Sequence, residues 1–338
     1  MNRLLLPLLL LLALLTAGCG TRTDTPRAAA DGVRTVRIAY LPITHALPLF
    51  AEAQAPLADG VRIELIRYGS WPELMDALNT GKVDGASVLI ELAVKAREQG
   101  IDLKAGALGH LGGNVIIGGP GIERVEDLRG KIFAIPHKQS THKLLLDQLL
   151  AAHGMTEADL TVVEMSPPEM PAGLAQGQIA GYCVAEPFGA KAVALGTGHI
   201  LAHDEDLWPD GPCCALVFNG DFARANHDLA AAVTQGYARA GAALAADPTG
   251  AEALAKTVFK APPAVLSLSL QWISYQDLAI RADTYDELTH RMAAADLLRS
   301  LPAYEDFVDP TLLGEDADAS APTNASDTTI SQDPAERT

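Results

Sequence analysis

Val36, Ile38 and Tyr40 alternate with their neighbours over residues 35–40, the pattern of a short strand. The alternation breaks at Leu41-Pro42-Ile43-Thr44-His45-Ala46, and the apolar run that follows has helical spacing. A second strand over residues 61–68 stops at Gly69-Ser70-Trp71-Pro72-Glu73. Ser70 and Glu73 stand at capping-box spacing there, and Pro72 fits a first helical turn. Leu74 and Leu78 mark the inner face of that helix, Gly81 its end, and residues 83–88 a third strand. Three strand–helix units in succession predict a parallel sheet, with ligands beyond the strand C-termini.

Further along, Gly109-His110-Leu111-Gly112-Gly113-Asn114 leads into an apolar strand, Val115-Ile116-Ile117. A short helix at 125–128 precedes a strand that stops at Pro136. His137-Lys138-Gln139-Ser140-Thr141-His142 then opens a helix over 143–153, with Leu145, Leu146, Leu149 and Leu150 on its buried side. Ser140 or Thr141 is expected to cap that helix, leaving free N–H groups for a ligand. Residues 81–88 and 177–184 align without gaps, an internal echo expected of two lobes of similar construction facing each other. Gly211-Pro212-Cys213-Cys214-Ala215-Leu216-Val217-Phe218 reads as a strand returning the chain, and most of the remainder to Phe307 as helices.

Composition sharpens this picture at the two ends. Arg3 and an apolar run over 4–15 read as an export signal, since about 20 apolar residues are needed to span a bilayer. Leu15-Thr16-Ala17-Gly18-Cys19 closes that run and resembles a bacterial lipobox, which would make Cys19 the acylated first residue of the mature chain. Residues 19–34 form a polar tether, and 314–338 an acidic tail without apolar periodicity, expected to be disordered. Net charge is −17, and removing the leader and tail still leaves the body near −13. That disfavours nucleic acid and anionic lipid headgroups as partners, while leaving an anion in a closed cleft open. Aromatics are only 5%, so the core must be aliphatic. Cys183 either bridges to Cys213 or Cys214 or is simply buried; no Cys/His spacing reads as a zinc site, so neither metal nor cofactor is expected.

Taken in order, several stretches resemble the nitrate/sulfonate/taurine-type solute-binding proteins of bacterial ABC importers, a group that includes binders of thiamine-precursor pyrimidines. The landmarks are Ala39-Tyr40-Leu41-Pro42, residues 78–84 (LNTGKVD), residues 127–132 (DLRGKI), the helix start at Ser140–His142, Ala185-Glu186-Pro187-Phe188, and Pro212-Cys213-Cys214. The resemblance implies an α/β, two-lobed type II periplasmic-binding-protein fold, each lobe a mostly parallel sheet flanked by helices. The lobes would comprise residues 35–115 with 213–310, and residues 116–212, following a signal peptide at 1–18. It implies an extracytoplasmic monomer, held to the membrane by lipid alone, that delivers a small oxyanion, sulfonate or related molecule to a permease and an ATPase. Nitrate- and bicarbonate-type members tend to carry Gly-Glu-Pro-Trp where this chain has Ala185-Glu186-Pro187-Phe188, which weakens any transfer of their ligand.

Candidate ligand contacts are Thr44 and His45 at the first strand end, Trp71 as a cleft wall, Ser87 at the third strand end, and His110 where the chain crosses between lobes. The donor-rich helix start adds Gln139, Ser140, Thr141 and His142, and Glu186 is a candidate acceptor for ligand or cation. No nucleophile elbow, zinc pair or P-loop is present, which argues against an enzyme. A ligand-sensing lipoprotein is the alternative; pyrimidine synthases of the same fold have a cysteine-rich motif that Cys213-Cys214 only faintly resembles.

Overall fold

The structure is a computed structural model and describes residues 33–55 and 60–314. The signal peptide, Cys19, the tether up to residue 32 and the tail beyond Gly314 lie outside the described residues. In chain order the strands are β1 (Arg34–Tyr40), β2 (Val61–Arg67), β3 (Gly85–Leu89), β4 (Leu103–Leu108), β5 (Leu111–Gly112) and β6 (Asn114–Gly118). Then come β7 (Ile132–Ile135), β8 (Thr161–Glu164), β9 (Gly181–Ala185), β10 (His199–His203), β11 (Cys214–Asn219) and β12 (Ile273–Ser274).

Two five-stranded sheets carry the fold, ordered β2-β1-β3-β11-β4 and β10-β6-β9-β7-β8, and β5 pairs with β12. In the first sheet β1 lies parallel to β2 and β3, while β11 runs antiparallel between β3 and β4. The second repeats this plan: β7 is parallel to β8 and β9, and β6 runs antiparallel between β9 and β10. Each sheet is therefore mostly parallel, as expected, with four strands running one way and one reversed among them. The reason is the crossing: the chain enters each sheet's fourth position from the other side of the molecule, so β11 and β6 arrive in the opposite sense.

The internal echo falls on β3 and β9, which hold equivalent central positions and are buried throughout. Each starts with a glycine for the same reason. A Cβ on Gly85 would meet Ile38 and Phe218 at 2.9 Å; one on Gly181 would meet the Ile117 carbonyl at 2.7 Å and Phe133 at 2.9 Å. The aliphatic core expected from composition is present, with Val36, Ile38, Leu74, Leu78, Val88 and Leu216 sealed within it.

Helices cover the sheets. The long helix His227–Ala246 packs on Leu47–Gln54, and Pro248–Val258 and Pro263–Ser269 continue the layer. Neither expected side-chain cap forms. Ser70 has the extended backbone of a cap residue at φ −144°, ψ 155°, yet its side chain caps nothing. Ser140 also stands at a cap position, but its hydroxyl turns back to donate to the His137 carbonyl at 2.6 Å. Cys183 faces Ile116 within the second sheet, and it, Cys213 and Cys214 are all free and buried, so the possible disulfide does not form. Among the described residues no helix is long and apolar enough to cross a membrane.

Candidate functional site

Strand C-termini from both sheets converge on one sealed cluster. The turn after β1 supplies Thr44 and His45, the link from β4 to β5 supplies His110, and the start of β11 supplies Cys213 and Cys214. From the second sheet, the helix Thr141–Ala152 after β7 brings Thr141 and His142, and β9 ends at Glu186, which forms a cis peptide with Pro187. His45, His142, Glu186, Cys213 and Cys214 are fully buried, and His110 is 1% exposed.

The two central imidazoles lie with ring centroids 3.5 Å apart, and each is oriented by a backbone carbonyl. His45 places Nε2 2.8 Å from the Gly113 oxygen; His110 places Nδ1 2.7 Å from the Gly112 oxygen. A carbonyl only accepts, so these nitrogens carry the protons and His45 Nδ1 and His110 Nε2 hold lone pairs. His45 Nδ1 is 3.6 Å from Cys214 Sγ and 3.9 Å from Cys213 Sγ, and the two sulfurs are 3.9 Å apart. One nitrogen or sulfur from each of His45, His110, Cys213 and Cys214 falls within 4.8 Å of the others. His110 Nε2 and both ring nitrogens of His142 have no hydrogen-bond partner.

Burial governs protonation here. Burial, reinforced by neighbouring His45, pushes His110 down to about 4 and His142 down to about 3, so both are neutral at pH 7. Burial also pushes the Cys213 thiol well up. It acts on Cys214 in the same direction, but the polar neighbours Cys213, His110 and His45 outweigh it and hold that thiol well below its ordinary value.

Carboxyl groups surround the cluster. Glu91 lies on the helix Ile90–Glu98 and receives the Thr141 hydroxyl, which also lies 3.2 Å from the Pro212 carbonyl. Asp204 accepts from the Asn114 amide at 3.0 Å and from its side chain at 2.8 Å, and Asn114 Oδ1 is 3.5 Å from Cys213 Sγ. Glu186 accepts from the Ala190 amide at 3.1 Å. Burial raises all three, Glu91 and Glu186 to about 8.

Of the residues singled out in the sequence, Thr44, His45, His110, Thr141, His142 and Glu186 meet at this junction. Thr44 Oγ1 contacts Ser269 Oγ at 3.2 Å, and its amide donates to the Glu186 carbonyl at 2.9 Å. Ser87 is buried next to Tyr237. Trp71 sits in the core with its indole N–H unpartnered. Gln139 is half-buried, its backbone amide on His137 Nδ1 at 3.0 Å. Linear spacing gave no sign of the cluster of His45, His110, Cys213 and Cys214 because these four residues come from three segments far apart in the chain. Sequence reasoning also missed Glu91 and Asp204. The echo held a signal for Glu91, since β3 and β9 each run within two residues of a buried glutamate. A surface hollow of 660 Å³ between residues 119–122 and 174–180 shares no residue with the cluster.

Comparison with known proteins agrees with this architecture. Residues 29–259 match the model of the NMT1-like family. The ligand-binding component of an ABC-type import system from Staphylococcus aureus, solved with zinc bound, is 41% identical, with a TM-score of 0.78, covering 83% of this chain and 98% of that one. The periplasmic nitrate-binding protein NrtA of Synechocystis shares the fold at 19% identity, with a TM-score of 0.73 over 85% of this chain and 89% of that one. Among curated proteins, the bicarbonate transport ATP-binding protein CmpC of Synechocystis is 29% identical over 249 residues, 66% of this chain but only 37% of CmpC. With its two sheets and their crossing strands, the chain belongs to the NMT1-like family, in a two-lobed type II binding-protein fold.

Proposed function

We propose that the chain is the extracytoplasmic solute-binding component of an ABC importer, capturing one small ligand between its lobes and releasing it unchanged to a permease and ATPase. The observation that carries this reading is the convergence of buried, underused polar groups from the strand ends of both sheets. Groups such as His142 and Glu91 Oε2 cost free energy when buried without a partner, and a bound ligand would supply that partner. Names of similar proteins support it: the Staphylococcus aureus component belongs to an import system, and NrtA is a periplasmic binding protein. Lipid attachment at Cys19 would keep the protein beside its permease. Co-purification of the tagged protein with a permease from detergent-solubilised membranes tests the importer reading, and failure to recover any permease with ligand present overturns it. Cys19→Ala should release the protein from membranes; continued association without acylation refutes the anchor.

A further inference from the structure

We propose that His45, His110, Cys213 and Cys214 form a binding site for a thiolate-seeking d10 cation of the zinc type, with His142 closing over it from the second lobe. Geometry carries this. A tetrahedral ion with bonds of about 2.0–2.3 Å holds its ligand atoms roughly 3.3–3.8 Å apart. The three edges among His45 Nδ1, Cys213 Sγ and Cys214 Sγ measure 3.6, 3.9 and 3.9 Å. His110 Nε2 is the fourth donor, buried and without a hydrogen bond.

Outer contacts agree. Metal-bound histidines usually donate their second N–H to a carbonyl or carboxylate, which fixes the tautomer. His45 does so to Gly113 and His110 to Gly112, leaving the two free lone pairs on the side of the sulfurs. Two sulfurs with two imidazole nitrogens favour zinc over a hard cation, which prefers oxygen. Charge favours a cation over the oxyanions first expected. Beyond burial itself, the charged or titratable groups acting on His110, His142, Glu91 and Glu186 are one another, Cys214, His45 and Asp204, with no lysine or arginine among them. An anion would meet thiols and carboxyls there.

His142 differs from the other four in origin. It enters on the helix after β7, from the second sheet, whereas the rest attach to strands of the first sheet or their crossing. A cation held by the first lobe would thus gain its contact with the second only on closure.

That the cation is the transported ligand rests on the importer reading; its binding does not. The test is titration of reduced, metal-free protein with Co²⁺ and then Zn²⁺. The expected result is one equivalent of Co²⁺ with a thiolate charge-transfer band, displaced by Zn²⁺. Cys214→Ser should lower the band, and the double variant Cys213→Ser/Cys214→Ser should abolish it. His110→Ala should weaken zinc roughly tenfold or more, with variant folding checked by circular dichroism. Absence of the band in the reduced wild type, or its survival in the double variant, overturns the site. Vesicles carrying the co-purified permease separate the two readings. Zinc binding without zinc uptake leaves the site and removes the cargo role; a thermal shift with an organic ligand but none with zinc removes the site and leaves the importer.

Discussion

The Thr141 hydroxyl donates to the Glu91 carboxyl, joining the first turn of a helix in the second lobe to a helix that follows the third strand of the first. The contact is buried, and on the importer reading it spans the junction that opens to release ligand. Thr141→Val keeps the shape and removes the hydroxyl. A neutral hydrogen bond is worth about 0.5–1.5 kcal/mol, so ligand affinity should fall roughly 2–10-fold. The helix itself should be unaffected, because Thr141 is not its cap. Calorimetric titration beside apo melting checks this, and a lower apo melting point at unchanged affinity would contradict it.

Glu52 provides a pH-dependent test away from the site. Both its oxygens are buried without a hydrogen bond, and burial, opposed by Arg239, raises its pKa to about 9. An unfolded glutamate titrates near 4.3. Between these values the native state binds more protons than the unfolded one, so stability falls as pH rises from about 4.3 to about 9. Glu52→Gln removes that loss. It should raise the melting temperature at pH 8 by roughly 2 °C or more, and by less at pH 5. Equal gains at both pH values would refute the assignment.

Gly113 sets the tautomer of His45 and is left-handed, at φ +82°. A Cβ there would lie 3.1 Å from His45 Nε2. Gly113→Ala should therefore destabilise the fold by about 1–2 kcal/mol through backbone strain and displace His45 as well. Urea unfolding measures the first effect, and ligand affinity the second. An unchanged midpoint with unchanged affinity would show that the turn relaxes freely.

Cys183, Cys213 and Cys214 are free and buried. Alkylation of non-reduced protein should label none of them under native conditions and all three in guanidinium chloride, read by peptide mass. A missing label in denaturant would reveal a disulfide.

The strand–helix rhythm of the first lobe was legible because β1 and β2 end in turn-forming residues and Gly81 closes the helix before β3, and the echo at 81–88 and 177–184 located both central strands. Antiparallel β6 and β11 were not legible as such, since strand direction depends on a crossing that no local pattern encodes. His45, His110, His142 and Glu186 stood out as polar residues at predicted strand and helix ends. Their convergence with Cys213 and Cys214 is a product of topology, invisible to spacing. Capping failed as an inference for Ser70 and Ser140 because their backbones fit the role while their hydroxyls do not fill it.

The position of β11 between β3 and β4 fixes an order of synthesis. Residues 214–219 emerge after the whole second sheet, so nascent chain carrying β1 to β4 waits with an unpaired gap at its centre. Such non-local closure slows folding. The lobe that is translated first is thus completed last, and its Cys213 and Cys214 reach the waiting histidines only at that moment.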